Sequence, residues 1–293
     1  MIQKKKVFVL AIVLFILASL GIALIWYGNK NTYENDEQKV RIAFLDIGQG
    51  DATLIDFPDG SQMLIDCSKD ARVLEALSRN MHFWDRHINT LVITHPDFDH
   101  YGGCEDVIER FEVDKIIYTG YPKDNQTWNS LVETATAKGL WYTPMREYIE
   151  QSHLQSQVIF LYPNDSVDIF DTKAIDSNES SIVTKISIGS SDALLMGDAE
   201  IEVEELLMHE YGDQIDIEVL KVGHHGSAGG TGEAFLDAVT PQYAVISAGA
   251  GNSYGHPSAR VLKKLERAHS QVLRTDLLGD IILEMTETDI YVK

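Results

Sequence analysis

The chain has 293 residues, enough for one large domain or two small ones, and its 44% hydrophobic and 24% charged composition excludes disorder for most of its length. Its charge is lopsided: 24 Lys and Arg stand against 45 Asp and Glu, a formal net charge of −21. Such a surface repels nucleic acid at long range, so contact with a phosphate backbone must be made locally and against the global field.

The first residues differ in kind from the rest. Lys4 to Lys6 precede an uninterrupted apolar run from Val7 to Tyr27, and a bilayer-spanning helix needs ~20 such residues. The run is longer than the ~7–15-residue core of a cleaved signal. It also ends in Trp26 and Tyr27, which suit a membrane interface, rather than in a small-residue cleavage site. The expectation is one N-terminal transmembrane helix, an uncleaved anchor within residues 1–30. Lys4 to Lys6 then lie in the cytoplasm and the remainder outside the cell membrane; a cleaved segment makes the protein secreted. Residues 31–39 read as a polar linker, and residues 40–293 as one folded domain. Removing residues 1–39 takes away five basic and three acidic side chains, leaving −23, so the acidity belongs to the domain.

The domain opens with strand-like runs at 40–47, 51–57 and 61–67, the last two joined by the hairpin signal Pro58-Asp59-Gly60. A helix near 70–80 and a strand at 89–94 follow. Helices at 103–111 and 126–138 then flank a strand at 114–119. Residues 140–175 mix strand and loop signals. A second round brings strands at 180–188, 192–198 and 217–222, with a helix near 199–210. The chain closes with a strand at 243–249, a helix at about 258–269, a strand at 271–275 and a last pair around 278–292. No internal sequence repeat is visible. Strand clusters with interspersed helices in two halves predict two packed sheets with helices outside, and function in the loops at strand ends. The only cysteines, Cys67 and Cys104, each follow a strand end and are read either as a disulfide or as two buried thiols.

Four strands end in loops rich in ligand-type residues. "THPDFDHYGG" carries His95, Asp97, Asp99 and His100 within six residues, enough for parts of two adjacent cation sites. The competing reading makes Asp99 the cap of a helix from Tyr101, with solvated histidines. "LLMGDAE" sets Asp198 after an apolar strand, as a bridging carboxylate or as the cap of a helix from Ala199. "LKVGHHGS" pairs His224 with His225 beside Ser227. "SAGAGNSYGHPS" brings Asn252, Tyr254 and His256, or else is simply a turn into a helix after Pro257.

Together with "FLDIGQGDATLI" and "LIDC", these motifs resemble the metallo-β-lactamase superfamily. More narrowly, they are similar to the hydrolase domain of the ComEC family of competence proteins, over residue 41 to the C-terminus. The expectation is a stand-alone, anchored version of that domain, without the family's multi-helix channel region. The resemblance implies an αβ/βα four-layer sandwich with two divalent metal ions, Zn²⁺ or Mn²⁺, at one edge. It makes His95 and Asp97 ligands of one cation and Asp99, His100 and His225 ligands of the other, with Asp198 bridging. His224 and His256 lie near the substrate, Asp66 supports the ligand loop, and Asp46, Gln49 and Asp51 shape the site. The family's further histidine before the "GD" has only His153 as a candidate, without a motif around it; Asn178 or Ser181 takes that place instead. A site so rich in carboxylates shifts preference toward harder cations.

The expected function is a metal-dependent phosphodiesterase or nuclease using a metal-activated water. Asp99 or Asp198 orients the nucleophile, and His224 or His256 stabilises phosphoryl oxygens or protonates the leaving group. The acidic surface favours single-stranded DNA or nucleotides over duplex. Hydrolysis of lactams or lactones, and a non-catalytic membrane-tethered binding role, are the alternatives. Nothing in the sequence points to a protein partner.

Overall fold

Strand positions follow from period-two burial. In Val40–Phe44, Ile42 and Phe44 face one apolar layer while Ala43 faces another. The structure, a computed structural model, describes residues 38–144, 149–164, 171 and 175–293. In chain order its strands are β1 (Val40–Phe44), β2 (Thr53–Asp56), β3 (Gln62–Ile65), β4 (His87–Ile93), β5 (Glu112–Tyr118), β6 (Trp141–Pro144) and β7 (Ile149–His153). Then come β8 (Ser156–Tyr162), β9 (Val183–Ile188), β10 (Ser191–Leu195), β11 (Val219–Lys221), β12 (Tyr243–Ile246), β13 (Gln271–Arg274), β14 (Ile281–Met285) and β15 (Ile290–Val292).

One sheet runs β15-β14-β1-β2-β3-β4-β5-β6 and the other β13-β12-β11-β10-β9-β8-β7. Ile42, Phe44, Ile55, Val92, Val158, Phe160, Ile186, Leu195 and Val219 belong to the core between the two sheets. Helices Arg72–Asn80, Cys104–Arg110 and Gln126–Ala137 cover the outer face of the first sheet through Leu77, Val107 and Trp128. Helices Ile201–Tyr211, Glu233–Val239 and Ala259–Arg267 cover the second through Leu207, Phe235 and Leu265. The four layers expected from the sequence are therefore present, and the site sits where the layers end.

Pairing shows what the sequence hid. From β1 to β6 the neighbours pair antiparallel, antiparallel, then parallel three times; from β8 to β13 the same succession recurs. The absence of a sequence repeat thus conceals a repeat of topology, because backbone pairing constrains patterning and not identity. In each half the chain leaves the sheet at the C-terminal ends of parallel strands, where ligand-binding loops collect in α/β sheets.

Helix Glu233–Val239 and strands β6 to β8 were not assigned from sequence. Cys67 and Cys104 form a disulfide, with Cα atoms 5.1 Å apart, which decides between the two readings of the pair. The expected anchor in residues 1–30, and the linker up to residue 37, lie outside the described residues. Among the described residues no helix is long and apolar enough to cross a membrane.

Candidate metal centre

The loop after β4 is held from behind. Asp66, directly after β3, accepts hydrogen bonds from Thr94 N (2.9 Å) and Thr94 Oγ1 (2.8 Å). The one-turn helix that follows starts at Phe98, with Asp97 in the capping position but making no side-chain cap bond. Asp99 therefore lies inside the first turn and does not cap a helix from Tyr101. That turn points His100 inward, fully buried, and Phe98 outward. Gly103 lets the loop settle onto its neighbour, since a Cβ there would lie 2.3 Å from the Cys67 carbonyl. At Gly50, with φ +122°, a Cβ would meet the Asp99 carbonyl at 2.3 Å.

The second sheet supplies the other ligands. Helix Ile201–Tyr211 begins after Glu200, so Asp198 is not its cap and its carboxylate is free for the site. After β11, His224 and His225 adopt left-handed backbone conformations, φ 45° and 52°. Two consecutive non-glycine residues in this region mark a functional loop held by its surroundings. The turn splays the two rings, centroids 6.1 Å apart at 67°, so that His225 is buried within the cluster while His224 stays partly exposed at its edge.

Asp198 Oδ2 is the centre of that cluster. It lies 3.3 Å from His100 Nε2, 3.7 Å from His225 Nε2, and 3.9 Å from both His95 Nε2 and His224 Nε2. Asp99 Oδ2 is 3.4 Å from His225 Nε2, and Asp97 Oδ2 is 4.0 Å from His95 Nε2. Four sets of ligand atoms each fit within 4.8 Å, among them His95–His100–Asp198 and Asp99–His100–His225; Asp51 enters the other two, and Asp97 enters none. Each imidazole is gripped at Nδ1: His100 donates to Asp66 Oδ2 (2.7 Å) and His225 to the Ser247 carbonyl (3.0 Å). His95 Nδ1 meets the hydroxyls of Thr94 (3.1 Å) and Ser181 (3.2 Å). By contrast, Nε2 of His95, His100 and His225, together with Asp198 Oδ1, are buried without a hydrogen-bond partner. Buried polar atoms are nearly always paired. Four orphans converging from two sheets, each imidazole oriented through its other nitrogen, fit a divalent cation cluster.

Burial lowers the affinity of His100 for its proton, but Asp198 and Asp66 overcome this and hold its pKa well above the ordinary value. Burial opposes protonation of His225 too, and Asp198 and Asp51 raise it. Burial raises Asp198, yet His100 and His225 hold it well below the usual carboxylate range. His95 is pushed down to about 4 by burial and by the charge on His100. Cation binding therefore displaces protons.

Around this core the remaining residues take distinct places. His224 Nδ1 donates to Glu200 Oε1 (2.8 Å), which leaves Nε2 facing Asp198. His256 Nδ1 is buried and unpartnered, and its ring centroid is 5.5 Å from that of His224. Asn252 braces this loop, accepting from His256 N (3.1 Å) and Tyr254 N (3.2 Å), while Tyr254 is 69% exposed. Gln49 Oε1 accepts from Gly249 N (3.2 Å), tying the opening motif to the same loop. Asp51 lies behind His225, its Oδ1 3.7 Å from Nδ1, and takes an ion pair from the buried Lys221. Ser227 N donates to the His224 carbonyl (2.7 Å) and closes the paired-histidine turn, while its Oγ accepts from Gly229 N (3.2 Å). Asp46 bonds the Gly48 amide (3.3 Å), so it shapes the backbone of its loop.

The three candidates for the place of the family's further histidine each have other partners. His153 ends β7, stacks on Phe57 at 3.9 Å and bonds Ser61 (2.8 Å), in none of the ligand groups. Ser181 stands behind His95 and accepts from Asp198 N (3.0 Å), and Asn178 Nδ2 is 3.4 Å from His224 Nδ1. Neither faces the orphaned Nε2 of His95. Ser177, which no motif signalled, donates to Asp97 Oδ1 (2.7 Å), and Lys123 Nζ lies 3.5 Å from the same oxygen. Thr94, Glu200 and Lys221 lie within quoted motifs, so position relative to a strand end was the available signal for them. Lys123 had none.

The sequence matches the model of the metallo-β-lactamase superfamily over residues 45–250. The chain belongs to the metallo-β-lactamase superfamily. Within it, the chain is 33% identical to ComE operon protein 3 of Bacillus subtilis (strain 168) over 202 residues, 67% of this chain and 24% of that protein. It is 31% identical to competence protein ComA of Neisseria gonorrhoeae over 249 residues, 83% of this chain and 32% of that one. The chain thus spans about a quarter to a third of the length of these curated relatives. Its fold is similar to that of CmlA, a diiron β-hydroxylase from Streptomyces venezuelae. That likeness has a TM-score of 0.52 at 13% identity and covers 86% of this chain and 55% of CmlA. It shows the fold alone, so chemistry has to be argued from the donor set.

Proposed function

We propose that the protein is a metal-dependent phosphodiesterase acting outside the cytoplasmic membrane, with single-stranded DNA or nucleotides as substrates. One observation carries this reading. Three carboxylates, Asp97, Asp99 and Asp198, share a cluster with the unpartnered Nε2 atoms of His95, His100 and His225. Carboxylate oxygens beside imidazole nitrogens suit Mn²⁺ as well as Zn²⁺, and paired divalent cations suit hydrolysis of a phosphoester. His95 and Asp97 would hold one cation and Asp99, His100 and His225 the other, with Asp198 between them. Divalent cations held there supply Lewis acidity and a water acidified to a pKa of about 7.

The chain's own groups do the rest. Asp99, a third exposed, orients the attacking water from the open side of the cluster. His224 is fixed by Glu200 with Nε2 toward the reacting region; burial lowers its pKa, but Glu200 and Asp198 raise it overall. It is therefore the group placed to hold a proton for the leaving oxygen. His256 is lowered by burial and by the charges on His224 and His225, so it stays neutral and offers Nδ1 for a hydrogen bond to a phosphoryl oxygen. The Cys67–Cys104 disulfide supports an oxidising exterior, reached through an anchor in residues 1–30. The likeness to a competence protein supports a role connected with competence.

The test is a metal-by-substrate screen of the purified full-length chain. Loaded with Mn²⁺ or Zn²⁺, it is expected to turn over bis(p-nitrophenyl) phosphate and single-stranded DNA and to leave lactams and lactones intact. Asp99→Ala is expected to abolish turnover with the fold retained. Lactam or lactone opening with every phosphodiester intact would sink the reading, as would a folded protein that takes up no divalent metal.

A further inference from the structure

Beside the cluster lies a cleft of about 460 Å³, within the ~300–1,000 Å³ range of small-ligand sites. Asp99 lines one wall, so the cleft opens onto the metal-ligating loop itself. Two aromatic side chains reach it from loops on different sheets: Phe98, 52% exposed, and Tyr254, 69% exposed. Neither is needed by the core. Phe98 touches the edge of Tyr101 at 5.8 Å, and Tyr254 lies parallel to His256 at 6.0 Å and 11°. The same cleft is lined by Lys69 and Arg72. Arg72 is already held by Asp70 through Nε (2.9 Å) and Nη2 (2.8 Å), and Nη1 packs on Gly48, where a Cβ would lie 2.9 Å from it. Lys69 makes no ion pair among the described residues, though it lies close enough to Asp70 to help Arg72 hold that carboxyl below its ordinary range. Two cations beside the metal loop of so acidic a domain are placed against the prevailing charge. Paired with exposed aromatic faces, they are the parts of a single-strand binding groove, where bases stack and phosphates are neutralised.

We infer that this cleft is a nucleotide subsite: an unpaired base stacks on Phe98 and Tyr254 while its phosphate lies on Lys69, feeding the neighbouring phosphodiester to the metal cluster. The inference rests on the phosphodiesterase reading and narrows its substrate to unpaired nucleic acid, since a base stacked in a duplex offers no free face to the aromatics. It also explains how a strongly acidic domain takes a polyanion, through a local contact.

The experiment compares a short labelled oligothymidylate with an abasic oligomer of the same length, using the full-length chain. Binding is read by fluorescence anisotropy without added metal, and cleavage is read with Mn²⁺. The unaltered protein is expected to bind the base-bearing strand at least about fivefold tighter. Phe98→Leu and Tyr254→Ala should each weaken that binding by about 5- to 100-fold while leaving the abasic oligomer nearly unaffected. Tyr254→Phe should restore it, because the ring is kept. Lys69→Ala should weaken both strands alike and flatten the salt dependence. Equal binding of the two strands, or aromatic variants at Phe98 and Tyr254 that weaken both equally, overturns the subsite even if both are cleaved, and the phosphodiesterase reading then stands. Base-dependent binding with no cleavage of either strand overturns the phosphodiesterase reading and leaves the cleft as a nucleotide site.

Discussion

Asp66→Asn separates the support of the metal centre from the stability of the fold. Asp66 is buried, with Oδ1 accepting from Thr94 N (2.9 Å) and Oδ2 accepting from Thr94 Oγ1 (2.8 Å) and His100 Nδ1 (2.7 Å). Asparagine keeps the shape and the bond to Thr94 N, but puts an amide donor where Oδ2 stood. His100 Nδ1 then has to accept, its proton moves to Nε2, and the lone pair that faces Asp198 is lost to a cation. Loss of such an orienting partner costs about 10- to 100-fold in metal affinity. At a metal concentration near 100 times the dissociation constant, binding stabilises the native state by about 2.7 kcal/mol, and a hundredfold loss cuts that to about 0.4 kcal/mol. For a domain of this size each kcal/mol moves Tm by about 2–4 °C. The metal-induced rise in Tm should therefore fall from roughly 5–11 °C to about 1 °C. Calorimetric metal titration and melting curves with and without Mn²⁺ measure both quantities. Unchanged affinity and an unchanged rise in the variant would refute the tautomer argument.

Two further outcomes follow from the same coordinates. The Cys67–Cys104 disulfide closes a sequence separation of 37 residues. The chain-entropy relation assigns about 3–4 kcal/mol to a loop of that length, so reductant or Cys67→Ala with Cys104→Ala should lower Tm by roughly 6–15 °C; identical melting curves would remove the bond from the stability account. Asp280 accepts from Arg79 Nε (3.0 Å), Asp46 N (2.7 Å) and Asn80 Nδ2 (2.8 Å). Burial raises its pKa, but the bond from Arg79 and the others bring it below its ordinary value of 3.8. A depressed carboxylate stabilises the fold above its unfolded pKa, and that contribution fades as pH falls through the folded value. Urea melts should show Asp280→Asn less stable at neutral pH, with the gap closing below about pH 4. A gap that persists in acid contradicts the assigned shift.

Much of the site was legible because its information is local. His95, Asp97, Asp99 and His100 fall within six residues of a strand end, and Asp198 and His225 follow strands that alternate or run apolar. Both capping alternatives, for Asp99 and for Asp198, were sound local readings. They fail because each helix starts at another residue, Phe98 and Ile201. Ser177 and Lys123 escaped notice because each reaches Asp97 across the chain, separated by 80 and 26 residues, and no short pattern records that. His153 was ambiguous for the opposite reason, being a ligand-type residue whose stacking on Phe57 only the packing reveals.

By itself the sequence determined the residue types of the cluster, the strands that end in them, the four-layer class and the excess of acidic charge. Those follow from period-two burial, turn residues and ligand density, which act over a few residues. The tertiary structure decided how a left-handed turn splays the two adjacent histidines, that Ser181 meets Nδ1 of His95 rather than its Nε2, that the cysteines are joined, and that Phe98, Tyr254, Lys69 and Arg72 share one cleft. Each of those depends on bringing loops from two sheets within a few ångströms. That proximity is set by sheet order and by the splay of a left-handed turn, neither of which is written in any one stretch of the chain.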